Sequence, residues 1–73
     1  MFFFNKVYYY RLFIEIGNRY SIKSFASSKK LNTNIDILNQ AIEQEVLNPL
    51  DSDYVAFMEE ITKESFNSSQ HLM

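Results

Sequence analysis

The sequence predicts a small α+β domain: an antiparallel three-stranded sheet in the order 2-1-3 with one helix packed on one face. The chain order is ββαβ, closed by a short C-terminal helical turn. Three observations predict it. Residues 6–26 alternate with period two on either side of Gly17-Asn18, the pattern of a β-hairpin. Residues 33–47 place apolar side chains at helical spacing behind a capping sequence. Seven Phe and five Tyr stand against one Gly and one Pro, a balance that favours an ordered, packed chain over a loop-rich one.

The first strand is expected from Lys6 to Ile16, where β-branched and aromatic residues dominate. Tyr8, Tyr10, Leu12, Ile14 and Ile16 fall on one face, and Val7, Tyr9, Arg11, Phe13 and Glu15 on the other. The second strand, Tyr20 to Ala26, keeps Tyr20, Ile22, Ser24 and Ala26 in step. A two-residue loop would set Leu12 opposite Lys23 and put charge on the core face. A three-residue loop, Gly17-Asn18-Arg19, pairs Ile16 with Tyr20 and Ile14 with Ile22, and we expect three, or a bulge that restores the same parity.

Ser27 to Lys30 is a polar link. Thr33-Asn34-Ile35-Asp36 fits a capping box, so a helix is expected from about Asn34 to Leu47, ended by Asn48-Pro49. Its buried stripe would be Ile35, Leu38, Ile42 and Val46, with Leu31 before it and Ala41 on its flank, while Asp36, Gln40, Glu43 and Gln44 face water. Tyr8 and Tyr10 are expected under this helix. From residue 53 to 61 the spacing fits helix or strand. A third strand, Tyr54 to Ile61, antiparallel on the first strand's free edge, is preferred because Thr62 reads as a fresh helix cap and two strands make a marginal sheet. A β-hairpin with two helices is the alternative. Residues 1–73 form a single domain, with 1–5 and 67–73 as frayed ends, and no pattern places Phe2 to Phe4.

Without cysteine there is no disulfide framework and no thiolate zinc site, so packing alone holds the fold, as suits a reducing cytoplasm. Asn5, Lys6, Arg11 and Glu15 interrupt the apolar opening, which therefore neither spans a membrane nor forms a secretory signal.

Catalytic constellations are weak. His71, the one histidine, stands in the expected tail, where nothing would hold a general base in geometry. Asp51-Ser52-Asp53 starts like a calcium loop but lacks its glycine and closing Glu, so it reads as turn or cap chemistry. Glu59 and Glu60, as strand neighbours, point to opposite faces and share no proton. The expectation is a non-enzyme with no cofactor, no metal and no small-molecule substrate.

Charge is uneven. Residues 1–31 hold six bases and one acid, whereas residues 32–73 hold one base, Lys63, and eight acids. Attraction between the halves within one fold is one reading. A second makes Asp36, Glu43, Asp51, Asp53, Glu59 and Glu60 an acidic surface offered to a basic groove. A third uses an outer sheet face of Tyr9, Arg11, Phe13, Lys23 and Phe25, basic and aromatic together, to bind single-stranded nucleic acid, unless Phe66 and the tail cover it.

Phe, Tyr, Ile, Asn and Lys supply 31 of the 73 residues, a bias that AT-rich codons produce. In size, cysteine-free composition, ββαβ layout and acidic half, the chain resembles small phage-encoded inhibitors of bacterial defence, the anti-CRISPR proteins among them. That resemblance implies a stoichiometric inhibitor in the host cytoplasm that blocks a nucleic-acid-binding effector by protein–protein contact. Single-strand binding is the alternative, and a homodimer through the aromatic face fits either.

Overall fold

The computed structural model describes residues 6–71. β1 (Tyr8–Ile16) begins two residues later than expected, and its inner face is as the alternation predicts up to Ile14: Tyr10, Leu12 and Ile14 are at most 3% exposed and Tyr8 packs against them, while Ile16 is 43% exposed. A two-residue turn, Gly17-Asn18, leads into β2 (Arg19–Ser27). Gly17 takes φ +62° while Asn18 keeps a negative φ, the arrangement of a type II′ turn, whose twist matches that of the flanking strands. Ile16 therefore pairs with Arg19, Ile14 with Ser21, Leu12 with Lys23 and Tyr10 with Phe25, which overturns the expected three-residue loop. The objection to this register was charge on the core face. It fails because the core does not reach so far: of β2 only Phe25 and Ser27 are buried, and Ser21 and Lys23 face solvent. The buried Ser27 hydroxyl is satisfied, donating to the Lys29 carbonyl at 2.8 Å and accepting from the Lys29 amide at 3.3 Å.

Helix α1 (Asn34–Glu43) starts at the expected cap, the Thr33 hydroxyl accepting from the Asp36 amide at 3.1 Å. It ends four residues before the expected Leu47. The Val46 amide donates to the Ala41 carbonyl and the Glu45 amide to that of Ile42, a Schellman closure with Glu45 in the left-handed region at φ +62°. The buried stripe is also rotated from expectation. Ile37 and Ala41 are buried, Leu38 and Ile42 flank them, Gln40 is half-buried, and Ile35 stands 68% exposed. Two anchors fix that rotation. The Leu31 amide donates to the buried Tyr10 hydroxyl at 2.8 Å before the helix, and Gln44 donates its side-chain amide to the Ala26 carbonyl at 2.7 Å after it.

Asn48 opens a 3-10 helix, Pro49–Tyr54, by accepting the Leu50 amide on its side chain. β3 (Val55–Ile61) then runs antiparallel along β1, giving the order β2-β1-β3 that the sequence predicts. Between Phe13↔Phe57 and Ile14↔Val55 a bulge leaves Ala56 unpaired, so Val55 turns toward the core while Phe57 faces away. Thr62 caps as expected, accepting the Ser65 amide at 3.1 Å. The helix it caps is longer than one turn: α2 (Lys63–His71) has nine residues and occupies part of the expected frayed tail. It lies on the face opposite α1, where the Phe66 ring centroid is 4.8 Å from that of Tyr9. The expected fraying of residues 1–5 and the placement of Phe2 to Phe4 lie outside the described residues, as do residues 72–73.

A candidate protein-docking face

The register decides which side chains the outer sheet face carries. On β1 it presents Tyr9, Arg11, Phe13 and Glu15, and on β2 their partners Ala26, Ser24, Ile22 and Tyr20. On β3 it presents Ile61, Glu59 and Phe57. Lys23 and Phe25 are not among them, a correction to the expected basic and aromatic face. Lys23 belongs to the α1 side, and Phe25 is 3% exposed in the core, its ring 5.5 Å from that of Tyr10. One slip of a strand moves its whole apolar set to the other face, and that is what separates expectation from structure here.

This face is half covered. At its α2 end Phe66 shields Tyr9, and Arg11 reaches Glu59 at 3.6 Å in an ion pair whose side chains are 24% and 37% exposed. At the hairpin end Tyr20, Ile22 and Phe57 stand 75%, 58% and 53% exposed. Ile22 and Phe57 meet through Phe13, Ile22 as its cross-strand neighbour and the Phe57 ring 5.6 Å from it, while Tyr20 precedes Ile22 on the same face of β2. Scattered exposed apolar residues need no explanation, whereas contiguous apolar patches are over-represented at interaction sites.

The acids named from the sequence are interleaved with bases rather than set apart from them. Asp36 and Glu43 of α1 border a hollow with Lys29 and Lys30, and Asp51 borders another with Lys23 and Glu45. Glu59 lies on the outer face with Arg11, while Glu60, opposite Tyr10, belongs to the other face and shares a hollow with Lys6. Asp53 is exposed in the 3-10 helix. Acids of the second half are thus set beside bases of the first, and the asymmetry of the sequence folds into a surface of mixed sign.

Sequence reasoning missed Tyr20, Ile22 and Phe57 as surface groups. The signal for the first two was present, since Gly at the first position of a Gly-Asn pair specifies a two-residue II′ hairpin. Among the described residues no group of three His, Asp or Glu side chains is placed to hold a metal ion, and no helix is long and apolar enough to cross a membrane. The chain matches no protein-family model, no curated protein and no solved structure.

Proposed function

We propose that this chain is a non-catalytic protein-binding module that docks through the hairpin end of its outer sheet face. The observation that carries the reading is the joined cluster of Phe13, Ile22, Tyr20 and Phe57. Covering such side chains removes apolar surface from water, the main favourable term in protein association. Inhibition of a basic nucleic-acid-binding defence protein through an acidic surface calls for the acids to converge, and their mixing with bases does not favour it. Single-strand binding calls for Arg11 and Lys23 on one open face, and they lie on opposite ones.

A photo-cross-linking phenylalanine analogue placed at Ile22, in the chain expressed in cells, tests the proposal, with the same analogue at Ile35 on the far side as control. The expected result is a discrete protein adduct from position 22, own chain or another, that position 35 does not give. No adduct at position 22, or the same smear from both, overturns it.

A further inference from the structure

Building on the docking reading above, we infer that the partner enters as an extended acidic segment of another protein, added to the sheet as a further strand along the free edge of β2. Its acids lie opposite Arg19 and Lys23, and its apolar side chains lie beside Tyr20 and Ile22.

The hydrogen-bond pattern of the hairpin fixes what this edge offers. A two-residue turn makes Ile16 and Arg19 a bonded pair. Ser21, Lys23 and Phe25 therefore bond to β1, while Tyr20, Ile22, Ser24 and Ala26 turn their amides and carbonyls outward. Ala26 bears this parity out, since its carbonyl is the one that the Gln44 side chain reaches at 2.7 Å. That contact also closes the edge beyond Ser24. Among the described residues nothing bonds the outward main chain of Tyr20, Ile22 and Ser24, and residues 19–23 are all exposed. The complement of such a row is another strand, whose main chain repeats the same donors and acceptors at the same spacing. β3, the other edge of the sheet, is blunted by the bulge that leaves Ala56 unpaired.

Charge selects a foreign segment over a second copy. On the α1 side the exposed part of β2 carries Arg19, Ser21 and Lys23, two bases and no acid. Lys23 shares a hollow with Glu45 and Asp51 but forms an ion pair with neither, and among the described residues Arg19 pairs with no acid. Two copies of β2 paired antiparallel set Arg19 opposite Lys23 about an axis at Ser21, or Lys23 opposite Lys23 about an axis at that residue. No register supplies an acid, because Arg19–Ser27 contains none. Lysine on an edge strand is a common guard against such self-pairing. Side chains directly opposite each other stand about 4.5–5.5 Å apart, so acids four residues apart in the incoming strand meet both bases at once. On the other face the same strand sets its alternate residues beside Tyr20 and Ile22 and covers apolar surface there.

The test is titration of the full chain, to about 1 mM, with a fluorescent peptide Thr-Val-Glu-Val-Thr-Val-Glu-Val-Thr and with its counterpart carrying lysine for glutamate. The glutamate peptide should bind more tightly by about fivefold or more, and Lys23→Glu should erase the preference. Bound peptide should slow amide hydrogen exchange at Tyr20, Ile22 and Ser24 and leave Ser21 and Lys23, already bonded to β1, as they were. Ser24→Pro removes an outward amide and no bond to β1, so it should weaken binding by about tenfold or more with its circular dichroism spectrum unchanged. No binding at the highest concentration, equal binding of the two peptides, or a bound peptide that leaves those three amides exchanging freely overturns the inference. Slower exchange at the same amides on raising the concentration of the chain alone also overturns it, because the occupant is then a second copy. If the peptide fails while the position-22 cross-linker still gives its adduct, strand addition falls and the docking reading stands. If both fail, both fall.

Discussion

Tyr10→Phe isolates one buried hydrogen bond and leaves everything else in place. The Tyr10 hydroxyl accepts the Leu31 amide at 2.8 Å across 21 residues of sequence, and Tyr10 and Leu31 are only 1% and 8% exposed. Deleting the oxygen keeps the ring and its packing against Phe25, but strands a buried amide donor. That loss costs about 1–3 kcal/mol, since the amide forfeits its partner without gaining water. At roughly 0.05–0.15 kcal/mol per residue, a chain of this length has about 4–11 kcal/mol of total stability, so a quarter of it rides on one oxygen atom. In a domain of this size each kcal/mol moves the melting temperature by about 4–8 °C. Urea denaturation followed by circular dichroism gives the free-energy change, and hydrogen exchange at the Leu31 amide locates it. The expected outcome is a lower midpoint with an unchanged slope and faster exchange at Leu31. An unchanged midpoint with full protection of that amide would refute the argument that this bond joins the sheet to the helix.

Two further substitutions probe the fold. Ile14→Ala removes a side chain that is 3% exposed, pairs with Ser21 and packs in the main cluster, and should cost about 2–5 kcal/mol as a cavity in the core. A urea midpoint near that of wild type would show that Ile14 carries little of the packing. Glu45→Gly should stabilise by about 1 kcal/mol, because Glu45 holds φ +62° at the helix end, a conformation costly for any residue with a Cβ. Glu45→Ala separates backbone from charge: it should bring no such gain, and equal effects of Gly and Ala in thermal melts would sink the backbone explanation.

Much of the fold was legible because its signals are local. Thr33 and Thr62 announce their helices by a hydroxyl three residues ahead of a free amide, and both make that bond. The alternation of β1 names its buried face without reference to any other element. The third strand follows from a cap that demands an end to whatever precedes it. Less legible was anything that depends on how far one element covers another. Ile35, Ile37, Leu38, Ala41 and Ile42 are compatible with two neighbouring stripes, and the choice is made by the bonds from Leu31 to Tyr10 and from Gln44 to Ala26, which no periodicity contains. The bulge at Ala56 likewise turns Val55 inward although Val55 and Phe57 share a parity.

The hairpin register shows how a coverage error becomes a functional one. Treating all of β2 as lying under the helix makes Tyr20 and Ile22 core residues and sends Lys23 and Phe25 outside, which yields a cationic aromatic face. Yet α1 has ten residues, about 15 Å at helical rise, while each hairpin strand has nine, about 30 Å when extended. Even laid along the strands the helix leaves half the hairpin uncovered. Over that half, Ser21 and Lys23 suit the solvent they meet on the α1 side, and the apolar side chains point the other way. Tyr20, Ile22 and Phe57 add little to folding while they remain in water, because burial is what makes an apolar group stabilising. The two faces of one sheet thus divide the labour. Tyr10, Leu12 and Ile14 on one side hold the fold, and on the other Phe13 and its exposed neighbours form the apolar surface proposed to dock a protein partner.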